Sequence, residues 1–456
     1  TPHSIYLNKK TGQVVAGISS TESAADKLLT KLYQLALLIE DKFGCPQDVE
    51  WLDDGRQIWL LQSRPITTEA INVDGLVQTE LDRLRRLFGE QVPFFVASQF
   101  ADALEFVTPS TVSLLQKIFS PGGTWGRLLR KYWVSFDHSF RPEQYVIDIG
   151  GRLFINKDQE QQILSAGPYF KPWSYNTLLN IIGGLKRKIY SFWQFKHLSS
   201  TIKKLIQEIT ELELKPPGQT TLRTTLDHLV YRTSTLLLET EMFQQLALQY
   251  LEKKLGSRLT HKEWQQMLGT GVGNPLLSGI ASVGQNLDQL LQKVGYRGFQ
   301  ELELSQPRWR EDPKSFAILA SGLKGVPNEH PTTTSDSREK ILDRFLSVWD
   351  RQFISTFFLL YDRFSQYREK LHDLWIREIS FLRVNLLKLD ADAGAGNAIW
   401  FMTLDEILTN FPKYNITELL QRRRQHELIR QHFLPDSIKI KSWEELFKPP
   451  VISASH

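Results

Sequence analysis

The sequence predicts a mainly α-helical protein with a small α/β segment at its front. Three observations carry this. Strand-like alternation and hairpin turn signals are concentrated in the first 68 residues. From Leu76 onward apolar residues recur every three or four positions, the spacing that keeps one helix face apolar. These long segments stop at glycine and proline clusters, which cannot continue a helix.

The elements follow in order. Residues 4–15 alternate loosely about Lys9-Lys10-Thr11-Gly12 and read as a β-hairpin. Residues 21–43 read as a helix: Thr21 can cap it, and Leu28, Leu32, Leu35, Ile39 and Phe43 recur at helical spacing. Residues 49–52 and 57–63 are strand-like, and Asp53-Asp54-Gly55 between them is a hairpin turn signal. A second strand pair, 145–149 and 152–155, flanks Gly150-Gly151. Residues 178–214 form one long helical segment that Pro216-Pro217-Gly218 stops. Residues 222–255 form another, ending near Gly256. Two long segments running in opposite directions predict an antiparallel helical hairpin. Several breakers mark 325–337 as a loop. Residues 341–389 carry helical spacing throughout and end at Ala393-Gly394-Ala395-Gly396. There is no repeat of fixed period and no low-complexity tract.

Composition narrows the function. At roughly 150 residues per domain the length allows about three domains. Apolar residues are 41% and charged residues 23%, which excludes disorder over most of the length. A net charge of +4 from 55 basic and 51 acidic residues is too even for a dedicated nucleic-acid binder. No apolar run approaches the roughly 20 residues of a membrane span. The best, 353–361, is interrupted by Ser355 and Thr356. No apolar signal region opens the chain. Cys45 is alone and can form no internal disulfide, which fits a cytoplasmic setting. Twelve Trp beside three Met point to large rigid aromatic surfaces in a core or a pocket. The chain starts with Thr1 rather than Met, and we expect it to be a piece of something longer.

The hairpin around Asp53 holds the sharpest chemistry. Gln62 and Arg64 are two apart on a strand and share a face. Glu50 lies on the partner strand. A carboxylate and an amide oxygen are hard ligands for magnesium, and a guanidinium grips phosphate oxygens by a fork of donors. On spacing alone the trio also reads as the solvated polar face of an ordinary hairpin. Asp48-Val49-Glu50-Trp51, followed by Leu60-Leu61-Gln62-Ser63-Arg64-Pro65-Ile66-Thr67, closely resembles the C-terminal end of the ATP-grasp nucleotide-binding domain in the phosphoenolpyruvate-utilising dikinase family. That family includes phosphoenolpyruvate synthase, pyruvate phosphate dikinase and rifampin phosphotransferase. The resemblance implies ATP and magnesium as cofactors. It makes Glu50 and Gln62 the metal and nucleotide ligands and Arg64 a phosphate contact.

Two further stretches resemble the helical central domain of the rifampin-phosphotransferase-like branch. The first is Gly295-Tyr296-Arg297-Gly298-Phe299-Gln300-Glu301-Leu302-Glu303-Leu304, continued by Pro307-Arg308-Trp309-Arg310-Glu311-Asp312-Pro313. The family usually has His where this chain has Tyr296. Arg297, Glu301 and Glu303 can line an acceptor pocket or form an ion-pair network that pins a loop between helices. The second is Tyr367-Arg368-Glu369-Lys370-Leu371-His372. The branch tends to carry Arg-Glu-x-x-Lys near its acceptor site. Arg368 and Glu369 fit, and His372 stands where Lys is expected. Arg368 and His372 share a helical face, but histidine holds no fixed charge at neutral pH. The same stretch also reads as an ordinary surface helix. The resemblance implies acceptor contacts at Arg297, Glu301, Arg368, Glu369 and His372.

Weaker features read most simply as structure. Gly269-Thr270-Gly271-Val272-Gly273 has neither a preceding strand nor a following Lys-Ser/Thr and reads as a helix-joining loop. Lys186, Arg187, Lys188, Lys196, Lys203 and Lys204, interleaved with Phe192, Trp193 and Phe195, read as a solvated helix face with an apolar reverse side. Arg422-Arg423-Arg424 reads the same way.

The family resembled works with three parts: an ATP-grasp domain, a mobile domain with a phosphorylated histidine, and an acceptor domain. The Thr-Ser-Gly-Gly…His pattern of the mobile domain is absent here, and so is the earlier part of the ATP-grasp domain. The resemblance therefore implies that residues 1–68 are the C-terminal part of an ATP-grasp domain and 69–456 a helical acceptor-binding domain. The parent would pass the β-phosphate of ATP through a phosphohistidine to pyruvate or a hydroxylated small molecule. The aromatic content favours a bulky, partly apolar acceptor. Partners would be ATP, the acceptor and the two missing parts, with no nucleic acid and no membrane. A non-catalytic binding module, or one subunit of a split enzyme, is the alternative.

Overall fold

The computed structural model describes residues 6–7, 14–16, 23–43, 47–53, 55, 57–65, 73–97, 104, 106–131, 140–160, 196–268, 287–322, 335–344, 347–411, 414–430 and 434–447. The Lys9–Gly12 turn, Thr21, Cys45, the 269–273 glycine run and the aromatic residues at 192–195 lie outside them. The chain divides into two compact units, Thr1–Asp74 and Gly75–His456.

The first unit is α/β. Strands β1 (Tyr6–Leu7) and β2 (Val14–Ala16) pair antiparallel. Helix α1 (Ser23–Phe43) precedes an antiparallel hairpin of β3 (Gln47–Asp53) and β4 (Ile58–Pro65). Asp53 accepts a hydrogen bond from the Gly55 amide at 3.0 Å. Gly55 takes φ +81, a conformation that glycine adopts at no steric cost.

The second unit is mainly helical and carries a small sheet. Helix α2 (Val73–Phe88) leads into β5 (Phe95–Ala97). Strands β6 (Val146–Ile149) and β7 (Arg152–Asn156) form the predicted pair, joined by Gly150 and Gly151, both at positive φ. The hairpin does not stand alone. It belongs to a four-stranded antiparallel sheet of order β6-β7-β5-β8, with β8 at Ser437–Ile438. Strands of two and three residues are too short to show a period, so β5 and β8 leave no sequence signal. Leu84, Phe95, Ile147, Phe154 and Trp443 form the core beside this sheet. Trp443 donates its indole N–H to the Gly89 carbonyl at 2.9 Å.

The main core lies among helices. After α3 (Pro109–Phe119) and α4 (Thr124–Lys131) comes α5 (196–213). Helix α6 (Gln219–His228) runs through a π-helical turn, Leu229–Thr233, into α7 (Ser234–Leu255). Helices α8 (His261–Leu268), α9 (Leu287–Val294), α10 (Pro313–Gly322) and α11 (Ser335–Asp343) follow. The spine is α12 (Val348–Ala393), and α13 (Leu404–Asn410) and α14 (Ile416–Ile429) come after it. The sequence predicts one helix from 341 to 389. Instead Ser347 leaves the helix at ψ 161, and its hydroxyl accepts from the Asp350 amide to start α12 afresh. Gly394 ends α12 in the left-handed conformation.

Packing on α12 is specific. Leu371, Ile376, Leu382 and Leu386 are fully buried, each contributing roughly 2 kcal/mol of apolar burial. Trp375 donates to Ser234 Oγ at 2.9 Å, and Gln244 Nε2 donates to Ser365 Oγ at 2.8 Å, which fixes α7 against α12. His228 and Arg232 both reach Glu208 on α5, at 3.1 and 2.9 Å.

Candidate functional site

In the first unit the strand register decides where the polar trio stands. Glu50 pairs directly with Gln62, and Arg64 stands opposite Asp48. The register shifts between Glu50 and Trp51, which pairs with Leu60, so Leu61 is bulged out. Glu50 and Gln62 are exposed, and as cross-strand partners their side chains lie on one face. Among the described residues no group of three or more His, Cys, Asp and Glu is placed to hold a metal. The pair puts a carboxylate and an amide side by side on one face of the hairpin.

The second unit contains a cavity of about 460 Å³. It lies between α3, α7, α12 and the loop from 295 to 312. Arg297, Glu301 and His372 line it. Its walls are apolar, with Phe119 from α3, Leu237 from α7, Trp375 and Ile376 from α12, and Trp309 from the loop. Arg368 and Glu369 do not line it. They form an ion pair at 2.5 Å one turn away, and Arg368 Nη1 donates to Gln244 Oε1 at 3.2 Å.

Arg297 is both a structural and a cavity residue. It donates to Glu301 at 3.0 Å and to Asp373 at 2.8 Å. Tyr296 donates its hydroxyl to the same Asp373. Burial works against the Arg297 charge, but the two carboxylates outweigh it and raise its pKa. Glu301 is pushed up by burial despite Arg297. His372 is pushed down, by burial first and by Arg297 next, so its ring is neutral at neutral pH.

Glu303 does different work. It is buried and accepts from the Thr108 hydroxyl at 2.6 Å and from the Thr108 and Ser305 amides at 3.1 and 2.9 Å. It ties the loop to the start of α3. Arg308 is fully buried and donates to the Glu303 carbonyl at 3.2 Å. Burial and the nearby Arg383 charge lower its pKa to about 10. The charged loop is therefore an ion-pair network on one side and a cavity wall on the other.

Two cavity residues were not singled out from the sequence. Glu241 lines the cavity from α7, and burial raises its pKa, with Arg368 partly offsetting this. Its signal was present: it falls one turn after Leu237 and Leu238, an acid on an apolar face. Trp309 lines the cavity with its indole N–H buried and without a hydrogen-bond partner among the described residues. The three arginines of α14 are partly committed: Arg422 pairs with Glu406 and Glu418, and Arg423 with Glu427.

Comparison with known proteins gives three findings. Residues 3–82 match the family model described as the pyruvate phosphate dikinase AMP/ATP-binding domain. Residues 244–369 match the rifampicin phosphotransferase fourth domain. A probable phosphoenolpyruvate synthase of Archaeoglobus fulgidus is 45% identical over 67 residues, an alignment that covers 14% of this chain and 9% of that protein. The first match contains Glu50, Gln62 and Arg64, and the second contains Arg297, Glu301, Arg368 and Glu369. No helix among the described residues is long and apolar enough to cross a membrane.

Proposed function

The chain belongs to the phosphoenolpyruvate-utilising dikinase family, and from that premise we propose that it supplies the acceptor-binding part, with the end of the nucleotide-binding part, of an ATP-dependent dikinase-type phosphotransferase. The β-phosphate of ATP would pass through a phosphohistidine on a part of the enzyme this sequence does not contain. The acceptor would be a bulky, largely apolar molecule that carries hydroxyl groups. The enzyme would work in the cytoplasm.

One observation carries the acceptor class. The polar groups of the 460 Å³ cavity lie together within apolar walls and offer no excess of positive charge. Arg297 is already shared by Glu301 and Asp373. His372 is neutral. A small anion such as pyruvate would meet carboxylates and no uncommitted cation among the described lining residues. A hydroxylated polyketide, the class to which rifampicin belongs, would bury its apolar body against Trp375, Ile376 and Phe119. Its polar groups would face Glu241, Glu301, His372 and the unpartnered indole N–H of Trp309.

On the nucleotide side, Glu50 and Gln62 would hold magnesium, which neutralises phosphate charge when bound. Arg64 would contact a phosphate. His372, which burial keeps neutral on the cavity wall, would take the proton of the acceptor hydroxyl.

Thermal unfolding of the chain with rifampicin and with pyruvate tests the acceptor class. We expect rifampicin to raise the midpoint and pyruvate to leave it unchanged. Stabilisation by pyruvate alone would overturn the proposal.

A further inference from the structure

The second unit holds another cavity, of about 370 Å³, which shares no lining residue with the acceptor cavity. It lies between the segments at 106–108 and 305–307, the turn at 397–401 and helix α14. Three arginines and one glutamate are on its wall: Arg383, Arg423, Arg430 and Glu427. Arg383 is committed, since it donates to Glu311 at 2.7 Å and to the Leu304 carbonyl at 2.6 Å. Its guanidinium plane lies 5.0 Å from the Trp400 ring centre. Arg430 stacks its guanidinium on Phe106 at 3.7 Å. Arg423 is 40% exposed and pairs with Glu427 at 2.8 Å.

Between these groups sits His426. Its ring meets Phe401 edge to face at 5.4 Å, and its Nε2 is buried with no partner among the described residues. A buried polar atom without a partner costs about 1–3 kcal/mol, so its persistence calls for a group that completes it. The cavity thus combines flat aromatic walls, Arg423 and Arg430 beside the one wall glutamate, and a ring nitrogen without a partner among the described residues. Flat rings stack on indole and guanidinium planes. Anionic oxygens take charge-assisted hydrogen bonds from guanidinium and imidazole.

We propose that this cavity is a second ligand site, separate from the acceptor cavity, for a small aromatic anion of the aryl phosphate or aryl carboxylate class. The ring lies against Trp400 and Phe106. The anionic group lies between His426, Arg423 and Arg430.

The test is calorimetric titration of the full chain with phenyl phosphate, with inorganic phosphate and benzyl alcohol as comparators. We expect saturable binding of phenyl phosphate, about tenfold or more tighter than either comparator. Arg423→Gln and Arg430→Gln are each expected to weaken it about tenfold. Ile376→Trp, in the other cavity, should leave it unchanged. If Arg430→Gln fails to fold, Arg423→Gln decides alone, because that side chain is half in solvent. Absence of saturable binding, inorganic phosphate binding as well as phenyl phosphate, or indifference to the folded arginine variants would each overturn the proposal. Its outcome is independent of whether rifampicin binds the acceptor cavity.

Discussion

The Tyr296 hydroxyl donates to Asp373, 2.7 Å from each carboxylate oxygen, and Asp373 in turn holds Arg297 at 2.8 Å. The resemblance drawn from the sequence leads one to expect histidine where this chain has Tyr296. The phenol does what a neutral histidine N–H can do: it donates to a carboxylate and so pins the loop to α12. Burial and the Asp373 charge both oppose its ionisation and raise its pKa.

Tyr296→Phe removes this donor and leaves the ring packing in place. We expect a loss of about 1 kcal/mol in urea unfolding, the usual worth of one hydrogen bond. Unchanged stability would mean that Arg297 alone holds Asp373.

Glu303→Ala should cost more, about 2–4 kcal/mol, because it strands the buried Thr108 amide and hydroxyl and removes the acceptor of the part-buried Ser305 amide. Glu303→Gln keeps an acceptor and is expected to recover part of the loss. A fall below about 0.5 kcal/mol for the alanine variant would refute the anchoring role.

Ile376→Trp fills the acceptor cavity from α12, where Ile376 is fully buried. We expect rifampicin affinity to fall more than about tenfold, with overpacking costing about 1–3 kcal/mol of stability. Intact affinity in the folded variant would place the ligand elsewhere.

Stability should fall as pH rises past the ordinary histidine range. His228 sits between Glu378 and Glu208, with Nε2 3.1 Å from Glu208. Burial opposes the imidazolium, but hydrogen bonds and charge from both glutamates outweigh it and raise the His228 pKa. The folded state therefore holds this proton more tightly than the unfolded chain. That contribution is complete below about pH 6.5 and is lost as pH rises through the folded value. Urea unfolding at about pH 6 and about pH 9 should show the decline in wild type, and His228→Gln should flatten it. Equal slopes for both proteins would remove His228 as the cause.

Under the proposed function, in which the phosphohistidine lies on another part of the enzyme, the chain by itself is expected to release no AMP from ATP with any acceptor. Measured AMP release by the pure chain would show that a residue present here carries the phosphoryl group.

Local sequence determined much of this protein. Helical spacing marked α1, α7 and α12. Asp53 and Gly55 marked one hairpin, and Gly150 with Gly151 another, because these residues accept turn conformations that others resist. The Glu50 and Gln62 pair was legible once two strands joined by a short turn were recognised. The break at Ser347 was not, since apolar spacing continues through it and only the cap geometry shows the interruption. Tertiary structure decided the rest. Strands β5 and β8 find each other across most of the second unit, and no two-residue strand announces its partner. Glu241, Arg297 and His372 meet on one cavity although each belongs to a different segment. Spacing along a chain encodes which face a side chain takes. It does not encode which distant face will be packed opposite, because that depends on how the whole core excludes water at once.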